Sequence, residues 1–295
     1  MKSILLSTLL LPSVVSASPL EPVGKPIRLP FPNDQSILGV GGLGYDSRHD
    51  LWSASSENIA SASNEKGTSN YDVSVPRFYH MKLDFEDASV QFILDKPIVV
   101  RPDTGLKLEG LAIVPEDRFS SLIDPIDKDI WLASESHSHL AKTSKFLSKV
   151  FGPPDLSSFD RETFSSSRLV RVNGATGDIL EEATLPPFVL WNLEYDWEST
   201  NCVGERPFAG LHALSIAPSS NPDYTSIMFA AYQTALYQDG SSPNDFSESA
   251  TRILVYGLTS LNDEDDRTSK TASYLKSYRY DTSKLTLKSY QKGSR

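Results

Sequence analysis

Three times along the chain a Gly-Leu pair opens a short apolar run, a polar turn interrupts it, and a second apolar run follows. The first copy is GVGGLGYDSRHDLWSASSEN, residues 39–58. The second begins LEGLAIVPED at Leu108 and continues as DIWLASESHSH. The third is FAGLHALSIAPSSNPDYTSIMFAAYQTA, residues 208–235. Leu43, Leu111 and Leu211 mark the opening strands, and Trp52, Trp131 and Met228 are the large apolar residues of the second. A variable loop then leads to an Arg-led strand in each copy: RFYHMKLD from Arg77, SRLVRVNGATG with Arg168, and TRILVYGL with Arg252. A turn and a fourth strand complete the unit, as in NGATG followed by DILEEATL. Runs this short, bounded by turn residues, predict strands rather than helices.

Four short strands repeated in order predict propeller blades. A single blade cannot bury both of its faces, so neighbouring units have to stack. The fold class is therefore all-β, with propeller-like repeats of four short strands. The copies are unequally spaced, which places insertions in the loops. One insertion, AKTSKFLSKVFG within residues 137–166, has the apolar spacing of a short amphipathic helix stopped by Gly152-Pro153-Pro154. The alternative is a β-sandwich in which the Gly-Leu strands recur by coincidence. Tyr274 to Tyr290 alternates and predicts a hairpin around Asp281, and residues 237–250 and 259–271 are polar and predicted to be exposed.

Composition sharpens this picture. Nineteen prolines and 16 glycines fall between the apolar runs, and a 39% hydrophobic content is that of a globular core. A net charge of −10 argues against nucleic acid, whose phosphates call for basic patches. Residues 1–17 have the form of a secretory signal: Lys2, the apolar run ILLSTLLLPSVV, and small residues up to Ala17. That run is too short to span a membrane, and the expectation is a secreted chain with no span in its mature form. Residues 18–35 are a proline-rich lead-in, and residues 36–295 form the repeat domain. Cys202 is the only cysteine, so no intramolecular disulfide forms.

The motifs GVGGLGYD, LEGLAI with DIWLASES, SRLVRVNGATGDILEEATLP, FAGLHALSIAP and TRILVYGL occur in the order seen in the phytase-like domain family. The chain resembles that family over residues 36–281. The resemblance implies a β-propeller-like fold, export, and a hydrolase acting on phosphoric or carboxylic esters. Three departures stand out. Ala209 occupies the position where the family's third motif carries a Glu, Ser55-Ser56-Glu57 replaces a Ser-Asp pair, and the sequence ends where the family continues into further strands. These predict an incomplete propeller lacking its C-terminal blades, with open sheet edges available for self-association.

Candidate chemistry collects in the second repeat. Glu109 precedes its Gly-Leu pair, and Glu135, His137 and His139 end its second strand. If 131–139 stays extended, the last three share a face, because side chains alternate along a strand. Glu109, Glu135 and His137 are thus the candidate catalytic residues. Asp124, Asp127 and Asp129 lie in the loop between the two strands, and three carboxylates in one loop suit a hard cation such as calcium. Glu194, Asp196 and Glu198 form a second acidic set. No G-x-S-x-G elbow, P-loop, H-E-x-x-H or dinucleotide fingerprint occurs. Two readings follow: a secreted ester hydrolase assisted by a metal, with a small ester or phosphoester as substrate, or a non-catalytic propeller that binds a ligand or protein on its loop face. Acidic clusters that converge in space favour the first, and clusters scattered over separate loops favour the second.

Overall fold

The computed structural model describes residues 40–56, 76–87, 89–101, 106–115, 124–135, 137–138, 164–190, 203–205, 210–239, 250–259 and 271–281. The signal sequence, the lead-in, Cys202, the helical insertion at 140–151, Ala209 and the acidic set at 194–198 lie outside the described residues.

The described chain is all-β and follows the repeat strand for strand. Sheet 1 is formed by β1 (Val40–Asp46), β2 (Leu51–Ser56), β3 (Arg77–Asp84) and β4 (Ser89–Phe92), with β5 (Ile98–Val99) also pairing with β3. Sheet 2 contains β6 (Lys107–Ile113), β7 (Asp129–Glu135), β10 (Arg168–Asn173) and β11 (Ile179–Glu182). Sheet 3 contains β12 (Leu211–Pro218), β13 (Ser226–Tyr232), β14 (Ala250–Leu258) and β15 (Ala272–Asp281). Every pairing within these sheets is antiparallel, and each sheet runs in sequence order from an inner to an outer strand. None of the three closes on itself, so the architecture is that of propeller-like blades in an open arrangement. A separate two-stranded ribbon joins β8 (His137–Ser138) to β9 (Phe164–Ser165).

The stacking follows from the side-chain alternation of β7. Ile130 and Leu132 face one way and pack with Phe78, Ile98, Leu108, Val170 and Val172, the core between sheets 1 and 2. Trp131 and Ala133 face the other way and pack with Leu169, Leu211, Met228, Leu254 and Tyr256, the core between sheets 2 and 3. With both faces covered, β7 loses the polar-out half of the usual strand pattern and reads as the near-continuous run DIWLAS.

Glycine permits the inner strands to meet. A Cβ on Gly41 would lie 2.3 Å from the carbonyl oxygen of Leu108, and one on Gly42 would lie 2.4 Å from the amide nitrogen of Leu111. The backbones of β1 and β6 thus touch, running in the same direction. β12 flanks the other side of β6, with the His212 carbonyl and the Leu214 side chain against Gly110. The Gly-Leu signature therefore marks the line where neighbouring sheets come into backbone contact.

Polar bridges cross the seams as well. His80 on β3 reaches the β10–β11 turn, with Nε2 2.9 Å from the Gly174 carbonyl. A carbonyl only accepts, so Nε2 carries the proton and Nδ1 accepts from Ser53 Oγ at 2.7 Å. Lys128, buried at the end of the β6–β7 connection, pairs with Asp46 and approaches His49 Nδ1 at 3.0 Å. Burial alone raises the Asp46 carboxyl, but the hydrogen bonds from Lys128 and His49 outweigh it and hold the group below its usual range.

Two local expectations need amendment, and a third is met in its described half. Tyr237 and Asp239, predicted to be exposed, are buried, because Asp239 accepts from Arg252 Nη2 at 2.6 Å and Tyr237 N–H is bonded to the Gly204 carbonyl at 3.0 Å. The first arm of the hairpin expected at 274–290 is a strand paired to β14 as far as Asp281, and its second arm lies outside the described residues. The strand through 131–139 stops at Glu135, and His137 belongs to the β8–β9 ribbon instead.

Candidate active site

The three inner strands start at the same end of the molecule. Val40 pairs with Ser56, Lys107 with Glu135, and Leu211 with Tyr232, so each inner start lies beside the end of its second strand. All the long connections from second to third strand (57–76, 136–167 and 233–249) leave from this end. The connections between first and second strands (47–50, 114–128 and 219–225) lie at the other.

Lys107, Glu109, Glu135 and His212 gather at the loop end. Glu109 points from β6 and is only 3% exposed, and Glu135 closes β7 and is nearly as buried. Lys107, 40% exposed, places its ammonium 2.9 Å from Glu109 Oε1 and in direct contact with Glu135 Oε2. Burial would lower the pKa of this lysine, and the hydrogen bonds it donates to Glu135 and Glu109 more than offset that and hold it above its ordinary value. From the adjacent sheet, His212 brings Nε2 to 3.4 Å from Glu109 Oε2 while 43% of its side chain remains exposed. The result is a buried carboxylate pair carrying two accessible nitrogen groups, an ammonium and an imidazole.

A third carboxylate lies behind this group. Glu205 is fully buried between sheets 2 and 3, where Ser167 N–H donates to its Oε1 at 2.8 Å. Burial, with a smaller contribution from the charge on Glu135, pushes this carboxyl up to about 7, against the pull of hydrogen bonds from Ser167 and Ser166. Its Oε2 and the Tyr232 hydroxyl are buried without a hydrogen-bond partner among the described residues.

Of the residues the sequence points to, the structure brings Glu109 and Glu135 together on one lysine. His137 lies on the ribbon just beyond, and His139 is outside the described residues. Asp124, Asp127 and Asp129 are at the opposite end of the β6–β7 pair, about 20 Å away at the usual rise per strand residue. Each of the three has a structural partner. Asp124 caps a 3-10 turn by accepting from Ile126 N–H at 3.2 Å, Asp127 accepts from Asn173 Nδ2 at 2.7 Å, and Asp129 pairs with the Arg171 guanidinium. A guanidinium and an amide donor on these oxygens do not fit a calcium cage, and among the described residues no group of three or more His, Cys, Asp or Glu side chains is placed to hold a metal ion. Two of the repeated arginines have structural partners: Arg168 pairs with Glu182 of β11, and Arg252 with Asp239 in the β13–β14 connection.

Sequence reasoning missed Lys107, His212 and Glu205. The signal for His212 was present, since it follows the third Gly-Leu pair at the position next to Leu211. Only the packing of β12 on β6 shows that it faces Glu109. A scan against protein-family models matches none of them, and a search of curated proteins returns no relative.

Proposed function

We propose that this chain is an exported hydrolase of phosphoric or carboxylic esters, of the phytase-like kind, working at the Lys107–Glu109–Glu135–His212 cluster. The observation that carries the reading is the exposed imidazole of His212 backed by the buried Glu109 carboxylate, with the Lys107 ammonium beside it. A carboxylate only accepts, so Nε2–H of His212 faces Glu109 and Nδ1 is left as the base. In the proposed reaction Nδ1 takes a proton from water, and the water oxygen bonds to the phosphorus or acyl carbon. The bond to the leaving oxygen breaks, and that oxygen receives the proton from the imidazolium, so ester and water become acid and alcohol. Glu109 stabilises the imidazolium, and Lys107 faces the negative charge of the ester oxygens. The order of motifs shared with the phytase-like family supports the reading. No step is routed through calcium, because the loop aspartates do not fit it and lie at the far end of the strands.

The test is turnover of p-nitrophenyl phosphate and p-nitrophenyl acetate by the purified chain. His212→Ala is expected to lower kcat about 100- to 10,000-fold, the usual range for a lost general base. Lys107→Met is expected to raise KM for the phosphate ester, and Asp124→Asn to change neither parameter. A wild-type chain inactive on both esters, or a fully active His212→Ala, would sink the proposal. A second reading, a non-catalytic binding face, is favoured by one observation: the second strands of all three sheets end at the same end of the sheets as the cluster. Saturable binding of an anionic ester without turnover is its signature.

A further inference from the structure

The seam between sheets 2 and 3 at the loop end is held by one side chain with an unusual position. Glu205 N–H bonds the Val189 carbonyl at 2.8 Å, which fixes its backbone. Its Oε1 accepts from Ser167 N–H at 2.8 Å, just before β10 begins. Ser167 Oγ in turn accepts from the amide of Leu211, the first residue of β12, at 3.0 Å. The chain Glu205–Ser167–Leu211 thus ties the start of β10 to the start of β12, the strand that carries His212. The neighbouring Gly204 is held as well, its N–H donating to Gln238 Oε1 at 2.8 Å. Glu205 Oε2 and the Tyr232 hydroxyl at the end of β13 are buried in this seam with no hydrogen-bond partner among the described residues.

A buried carboxylate with one oxygen unpartnered is costly when charged and tolerable when neutral. The groups around it do little to help the charged form. Glu135 at the end of β7 repels it, and Tyr232 is a neutral phenol whose own ionisation burial pushes far upward, with the charges of Glu205 and Tyr256 adding to this. Ser166 and Ser167 offer hydrogen bonds only. Lys107, the cation of the neighbouring cluster, is committed to Glu135 and Glu109.

We propose that Glu205 is a proton-operated latch: uncharged, it closes the seam between β10 and β12, and on losing its proton it loosens the seam and with it the placement of His212. The consequence for activity rests on the proposed site, but the latch itself is read without substrate. Burial sets its working range near neutrality, because it holds the carboxyl at about 7. The sign follows from linkage. A carboxyl whose folded value is raised from 4.5 contributes stability that is fully present below 4.5 and is lost as pH rises through about 7.

The experiment is thermal unfolding of the full chain between pH 5 and 8.5, with amide hydrogen exchange read at Ser167 and Leu211. The wild-type Tm is expected to fall as pH rises to about 7 and to level off above it. Exchange at the two amides, corrected for the intrinsic rate, is expected to accelerate about tenfold per pH unit below 7, the slope of one released proton, and to level off above it. Glu205→Gln, which keeps the acceptor and cannot ionise, is expected to flatten both profiles. A wild-type Tm and exchange independent of pH, or a pH dependence that survives Glu205→Gln, overturns the latch. Should that variant fail to fold, Glu135→Gln serves instead: removing the repelling charge is expected to move the wild-type transition to lower pH, and an unmoved transition overturns the proposal. Absence of ester turnover would overturn the proposed function and leave these stability readouts unchanged.

Discussion

Glu181 offers the sharpest test of how the sheets are held together. It sits on β11 and is buried, with Oε2 3.0 Å from the Arg171 Nε and 2.7 Å from the Thr271 hydroxyl. Its Oε1 accepts the amides of Thr271 and Ala272 at 2.9 Å each. One carboxylate thus neutralises a buried guanidinium on sheet 2 and caps the first residues of β15 on sheet 3. In Glu181→Ala the guanidinium keeps Asp129 but loses its best-buried partner, and truncating one member of a buried pair costs about 3–5 kcal/mol. The orphaned Thr271 amide would add about 1–3 kcal/mol if its desolvation were not relieved by water. The two terms share atoms and do not add, so the expected loss is about 4–5 kcal/mol. For a chain of this size that lowers Tm by on the order of 10 °C, measured by calorimetry or circular dichroism. The double variant Arg171→Met/Glu181→Leu is expected to be less damaging than Glu181→Ala, since it leaves no unpaired buried charge. A loss under about 1 kcal/mol in Glu181→Ala, well below the range for a buried pair, would refute the claim that this network closes the seam.

Further outcomes follow from other contacts. Gly41→Ala would place a methyl 2.3 Å from the Leu108 carbonyl oxygen, so β1 and β6 have to part; its Tm is expected to fall well below that of Gly24→Ala in the lead-in, and equal values would show that the inner strands do not touch. Burial lowers the pKa of His80 from 6.5, so the stability it contributes is present above 6.5 and lost as pH falls through its folded value; acid unfolding of His80→Gln is expected to begin at lower pH than in wild type, and coincident curves would contradict this. Millimolar calcium is expected to leave Tm unchanged, and a rise abolished by Asp127→Ala would restore the aspartate loop as a cation site.

The strand order was legible because each unit repeats the same punctuation. Gly42-Leu43, Gly110-Leu111 and Gly210-Leu211 mark inner strands, and Arg77, Arg168 and Arg252 fall in the third. That sheet 2 is the middle layer, covered on both faces, came only from the packing of its neighbours. Glu109 and Glu135 were legible as candidates from their places at strand ends. Their meeting on Lys107 is a consequence of register, since Lys107 pairs with Glu135 across β6 and β7.

Local sequence determined which residues form strands, where the turns fall, and that glycine must stand where backbones approach. Side-chain partners across sheets were decided only by tertiary packing. His212 finds Glu109 because β12 stacks on β6, and Glu205 becomes a near-neutral acid because two sheets enclose it. The three loop aspartates look like a cation site in one dimension, but the fold turns them toward Ile126, Asn173 and Arg171. The physical reason is common to all three cases. Hydrophobic periodicity is written along the chain within a few residues, whereas charge pairing and desolvation depend on groups brought together from distant positions.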